Sequence, residues 1–244
     1  MLFGNRPSPC YVDAVSVLAV KKRPGFSLIE LLVVIAILGV LVAVAVPSLS
    51  SLGSGGRMNQ ALIEMSGLLS QARQYAIAQN TYVWVAFREQ NDEQGDPEVV
   101  MVILASTSGE DKVAWGDAGI SLVPGNDIEM LTRLNRFSKF KLEEAGTFTR
   151  ANIPDLPDPS SADTANGLAD NTAKFDVKLP GIAAPQRFDR VVQFLPNGQA
   201  RVSKAPIDFV EIGVRPVHGT VPEENNVAVV RINGLTGQPF VYRP

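Results

Sequence analysis

The chain has one cysteine, Cys10, and one histidine, His218, among 244 residues. A lone cysteine excludes an intrachain disulfide framework and a metal site built on several thiolates. A lone histidine following Pro216 in a loop reads as a surface residue, and residue order alone supplies no triad partners for it. No HExxH pattern, glycine-rich phosphate loop or CxxC pair is present. The expectation is therefore a non-enzymatic chain with no catalytic residue, no cofactor and no metal site. An excess of positive charge is also lacking. The net charge is −3. The first 25 residues hold Arg6, Lys21, Lys22 and Arg23 against Asp13, so the remainder is more acidic than the whole. Such a domain has no overall attraction to phosphate backbones. Nucleic acid is thus not the expected partner. Arg133, Arg136, Lys139 and Lys141 still allow a local basic stripe, readable as a DNA contact or as the wet face of a strand.

What the sequence does have is apolar residues, 45% of the total, enough for a packed core. They also form one long run. From Phe26 to Val46 the polar interruptions are Ser27 and Glu30. As a helix this run is about 31 Å long at 1.5 Å per residue, close to the hydrocarbon thickness of a bilayer. A buried core helix is seldom apolar on every face for so many turns. Lys21, Lys22 and Arg23 precede the run, which predicts a single span with its N-terminal end in the cytoplasm and the C-terminal domain outside. Glu30 is the exception inside the run. A carboxylate at membrane depth is costly and calls for a partner or a function. Snorkelling to the interface is one solution, one turn from the basic end. Pro47, near the end of the run, lacks an amide donor and clashes with the preceding turn, so a kink is expected there.

The string Gly25-Phe26-Ser27-Leu28-Ile29-Glu30, after a basic triplet and before a full apolar span, resembles the processing motif of type IV prepilins and type II secretion pseudopilins. The resemblance implies cleavage after Gly25 by prepilin peptidase and methylation of the new N-terminus at Phe26. It implies a role in assembly for Glu30, whose carboxylate pairs with the amine of a neighbouring subunit. Pro47 matches the family's proline at the end of the run. The implied partners are prepilin peptidase, other pilin or pseudopilin subunits, an inner-membrane assembly platform and the lipid bilayer. The leader is long for the family, and Ala14–Val20 is itself apolar. An ordinary secretory signal is the rival reading. Ala43-Val44-Ala45 is an acceptable site, and cutting there releases a soluble domain beginning at Val46.

The expected organisation is a leader over 1–25, a transmembrane or filament-core helix over 26–47, a flexible joint over 48–57 and a globular domain over 58–244. The joint, rich in serine and glycine, also reads as a loosened length of a longer helix. Met58, Ala61, Leu62, Met65, Leu68, Leu69, Ala72, Tyr75 and Ala76 fall three and four apart, predicting an amphipathic helix packed on a sheet. Thr81–Phe87 and Val99–Ala105 around a polar loop predict a hairpin. Further strands are expected at Phe137–Leu142, Phe175–Leu179, Val191–Leu195, Ala200–Val202, Phe209–Val214, Val227–Ile232 and Pro239–Tyr242, with a turn at Pro196-Asn197-Gly198. The fold class is α+β with an antiparallel sheet. Residues 150–173, rich in proline and aspartate, read as a mobile surface insertion.

The runs LLSQARQYAIAQNTYVWVAF, VVQFLPNGQARV and VRINGLTGQPFVYR are similar to minor pseudopilins of the GspH/FimT family. More narrowly, the chain resembles a pilin-like class from verrucomicrobial gene cassettes. Some pseudopilins bind calcium, and Asp92-Glu93 and Glu143-Glu144 are the carboxylates to consider. No loop here has the alternating ligand spacing of a strong calcium site. Two kinds of function stay open: a structural or initiating subunit of a secretion or pilus machine, and a DNA-uptake or adhesive tip subunit on the same chassis.

Overall fold

The computed structural model describes residues 27–112, 120–122, 124–143, 150–158, 165–167, 175–180, 182, 184–219, 221–224 and 226–243. At 43–55, 120–122, 165–167 and 175 it describes the backbone alone. The chain divides into two units, Met1–Ser50 and Ser51–Pro244. Helix α1 is assigned from Leu28 to Gln79. The helix runs through Pro47 and the stretch expected as a joint. The side chain of Pro47, and with it the expected kink, lies outside the described residues.

In the second unit α1 carries the apolar stripe read from the sequence. Met58, Ala61, Leu62, Met65, Leu69, Ala72 and Ala76 are buried, and Leu68 and Tyr75 pack beside them. A 3.6-residue period puts these positions on one face. Each fully buried Leu or Met contributes roughly 1.5–3 kcal/mol relative to exposure. The helix stops where Asn80 takes a left-handed φ of 49°. Thr81 N–H then bonds Ala76 O at 3.1 Å and Asn80 N–H bonds Ile77 O at 3.4 Å. That is the Schellman pairing, which satisfies two otherwise orphan carbonyls.

Two sheets enclose this helix face. The strands in order are β1 (Val83–Asn91), β2 (Pro97–Ser106), β3 (Ile120–Leu122), β4 (Ile128–Met130), β5 (Asn135–Ser138), β6 (Phe140–Glu143), β7 (Ala165–Gly167), β8 (Phe175–Val177), β9 (Gln186–Phe188), β10 (Arg190–Phe194), β11 (Ala200–Arg201), β12 (Phe209–His218), β13 (Val221–Pro222), β14 (Ala228–Asn233) and β15 (Pro239–Tyr242). The first sheet runs β11-β10-β1-β2-β4, with β5 also on β2. The second runs β13-β12-β14-β15, with β6 and β7 on β12. Val83, Val85 and Phe87 of β1 and Val210, Ile212 and Val214 of β12 share one core with the helix. Among the described strands pairing is antiparallel except β7 on β12 and β3 on β8. The α+β expectation is met, and so is the β1–β2 hairpin, in register from Val83↔Ala105 to Asn91↔Pro97.

The first sheet is buried on both faces. Trp84 and Ala86 point away from the helix into a second cluster with Val177, Leu179 and Phe188, from the segment that forms the small sheet β3-β8-β9. That is why VWVAF is apolar without alternation: a strand covered on both sides needs no polar face.

Two expectations are corrected. Phe137–Leu142 is two strands, not one. Lys139 takes φ 65°, so the chain leaves β2 in the first sheet and joins β12 in the second. The described part of the 150–173 insertion is anchored. Ile153 and Leu156 pack with Val227 and Val229 under Tyr242. Glu211, 1% exposed, is clamped between Arg150 and Arg231. Arg231 also lies 4.1 Å over the Phe209 ring and donates to the Pro157 carbonyl. Buried charges persist where they are paired and hydrogen-bonded, and this clamp holds the segment on the outer face of the second sheet. The short strands β3, β4, β7, β9 and β13 had no clear signal in the sequence.

Candidate processing and assembly segment

The start of α1 is built by local chemistry. Ser27 is the N-cap: its carbonyl accepts the Leu31 N–H at 3.2 Å. Its own N–H donates to Glu30 Oε2 at 3.1 Å. Ser-x-x-Glu is the capping-box sequence, in which the glutamate at the third helical position reaches back to the N-cap amide. Its negative charge there also complements the positive end of the helix dipole. Ser27 carries a role that the sequence reading passed over. The signal was available, since serine followed by glutamate three residues on, before an apolar run, marks a helix start.

Beyond Glu30 the helix has no charged residue up to Val42. Its apolar side chains find no partner within the described residues: Leu28 is 81% exposed, and even Val34, the most covered, is 46% exposed. Leu31, Val33, Ile35, Leu38 and Leu41 are likewise exposed. A helix apolar all round and covered by nothing of its own is not at rest in water. It calls for lipid or for other helices.

Gly25 and Phe26 lie outside the described residues. What the structure places is Glu30, in the first turn, exposed and bonded to the amide of Ser27.

Residues 20–46 match the family model of the prokaryotic N-terminal methylation motif.

That match takes in the basic triplet, Gly25, Phe26, Glu30 and the apolar run, and it supports a type IV pilin-like N-terminal segment. It covers this segment alone. No curated protein and no solved structure gives a significant match to the chain. The motif points to a membrane-anchored, export-related protein. Among the described residues no helix is long and apolar enough to cross a membrane. The described side chains of the run end at Val42, short of the roughly 20 residues a span requires.

Several of the other residues singled out in the sequence are engaged in the fold. Asp92 Oδ1 accepts the amides of Gln94 and Asp96, at 2.9 and 2.8 Å, and so shapes the β1–β2 turn. Glu143 lies 3.2 Å from Arg215. Glu144 lies outside the described residues. Among the described residues no group of three or more His, Cys, Asp or Glu side chains could hold a metal ion. His218 Nδ1 is 2.8 Å from Glu223 Oε1 across the β12–β13 turn. Of the basic stripe, Arg136 pairs with the buried Glu98 and Lys139 with Asp96 at 3.2 Å. These pairings reduce the positive field there.

Proposed function

We propose that this chain is a minor, GspH/FimT-like pilin subunit of a type IV pilus or type II secretion pseudopilus, cut after Gly25 by prepilin peptidase and built into a filament through its N-terminal helix. It acts without catalysis, metal or cofactor. Before assembly it sits in the inner membrane with a single span, its leader in the cytoplasm and its α+β domain outside. The supporting observation is the methylation motif over 20–46 joined to an apolar helix that has no cover of its own. On this reading the driving force for assembly is the exchange of lipid contacts for helix packing and charge pairing, because lipid tails and helices are equally apolar. Glu30, freed from the Ser27 amide, pairs with the methylated N-terminus of a neighbour and sets its axial register. Other pilin or pseudopilin subunits and the inner-membrane assembly platform are the partners.

The test is the mass of the N-terminal peptide recovered from membranes of the native host. An N-methylated peptide beginning at Phe26 supports the reading. A peptide beginning at Val46 refutes it: the chain would then be an exported soluble domain released by signal peptidase, and Glu30 would have no part in its function.

A further inference from the structure

The C-terminal end of α1 borders a cleft of about 410 Å3, away from the N-terminal motif in sequence. Tyr75 and Gln79 of the helix line one side. Thr107, Ser108 and Glu129 line it from the strand ends, together with the nearly buried Thr81 and Ser106. The volume is within the range of small-ligand sites, about 300–1,000 Å3.

The hydroxyl protons in this cleft are mostly committed. Thr81 Oγ1 donates to Ser106 O at 2.9 Å, and Thr107 Oγ1 donates to Asn126 O at 2.8 Å. Tyr75 Oη reaches Glu129 Oε2 at 3.4 Å. Burial first, then the charge of Glu129 and this hydrogen bond, hold the Tyr75 phenol above its ordinary value of 10.0, so at neutral pH it keeps its proton. What these oxygens have left for a ligand is lone pairs. Glu129 adds a carboxylate. The helix ends beside them with no basic residue in its last turn, so the partial negative charge of its C-terminus is not offset. Among the described residues no Lys, Arg or His lines it.

An acceptor-rich, uncationic cleft rejects ligands that only accept, such as phosphates, carboxylates and nucleic-acid backbones. Among the described residues Tyr75 is the sole aromatic there and no aliphatic side chain lines it, which disfavours lipid and apolar peptide. An alkylammonium ion offers donors only, which the Gln79 carbonyl can accept but its N–H2 group cannot use. Sugar hydroxyls both donate and accept, and the C–H face of a sugar ring suits the tyrosine ring. We propose that this cleft binds a neutral saccharide, whose hydroxyls donate to Glu129, Tyr75 and Thr81 and accept from Gln79. The site is independent of the filament role and would stand if that role failed.

The test uses the intact chain in a detergent without a sugar headgroup. It is titrated calorimetrically with three neutral trisaccharides, chitotriose, maltotriose and cellotriose, and with spermidine and inorganic phosphate as charged probes. At least one trisaccharide should bind with a single site. Glu129→Ala should weaken it about tenfold or more, a change of about 1.4 kcal/mol. Tyr75→Phe should weaken it less, with the melting temperature of both variants unchanged as a check on folding. The proposal is overturned if no trisaccharide binds, if binding survives both substitutions, or if spermidine or phosphate binds in preference.

Discussion

Replacing Gly237 by alanine should loosen the latch between α1 and the turns that flank it. Gly237 sits in the β14–β15 turn at φ +67°. A Cβ there would overlap the carbonyl oxygen of Gly198, in the turn between β10 and β11, and would lie 3.1 Å from Arg73 Cδ on α1. Arg73 Nε donates to the Thr236 carbonyl in the same turn. Helix and two turns therefore meet at a point with no spare room. Two costs add. Left-handed backbone disfavours a Cβ by roughly 1–2 kcal/mol. Forcing backbone apart in a packed region costs typically 1–3 kcal/mol. The expected loss is on the order of 3 kcal/mol, or about 6–12 °C in melting temperature for a domain of this size. Two neighbouring experiments separate the terms. Gly95 has φ +86° and nothing within 4 Å of a built Cβ, so Gly95→Ala carries the backbone term alone. Gly234 has no such φ, but its Cβ would overlap the Ile207 carbonyl oxygen, so Gly234→Ala carries the steric term alone. Thermal and denaturant unfolding, followed by tryptophan fluorescence, ranks the three. If Gly237→Ala costs no more than Gly95→Ala, the close meeting of the two turns is not rigid and the reasoning fails.

Glu30→Ala should leave the chain cut after Gly25 and held in the membrane but absent from filaments; recovery at wild-type levels in sheared filament preparations would remove Glu30 from the docking step. Glu211→Ala strands Arg150 and Arg231, and breaking a buried pair costs about 3–5 kcal/mol. Limited proteolysis should then cut near Arg150, and an unchanged digestion pattern would mean the clamp does not hold that segment. Leu69, fully buried against the sheets, should cost about 2–5 kcal/mol as Leu69→Ala, read by chemical denaturation, with cleavage after Gly25 unaffected. The raised pKa of Tyr75 has a fixed sign. The folded state holds that proton more tightly than the unfolded chain, so its contribution is complete below about pH 10 and is lost as the pH rises past the folded value. In an alkaline titration of phenolate absorbance, one tyrosine should ionise late. Glu129→Gln should bring it only part of the way back, because burial is the larger cause.

The N-terminal segment was legible because its chemistry is local. A methylation motif and an all-apolar run each concern residues within a few turns of one another, and neither waits on packing elsewhere; the capping box at Ser27, unread in the sequence, is equally local. The stripe from Met58 to Ala76 was legible for a similar reason, since burial on one face of a helix imposes a period that can be read off the chain. The Pro196-Asn197-Gly198 turn belongs with these: Gly198 takes φ +86°, as its sequence suggests. Lys139 could not be foreseen. Nothing about a lysine between two β-like runs says that the strand before it pairs with β2 and the strand after it with β12; which partner edge is free depends on the rest of the sheet. Residues 150–158 looked unstructured by composition. They are held by Glu211, a residue 61 positions from Arg150, and buried charge pairs leave no periodic trace. The cleft at Tyr75 is the strongest case. Its tyrosine and its glutamate are 54 residues apart, and only the packing of β4 beside the end of the helix brings them to one cleft. Local sequence determined the helix, the main strands and the methylation motif; long-range pairing decided which surfaces those elements share.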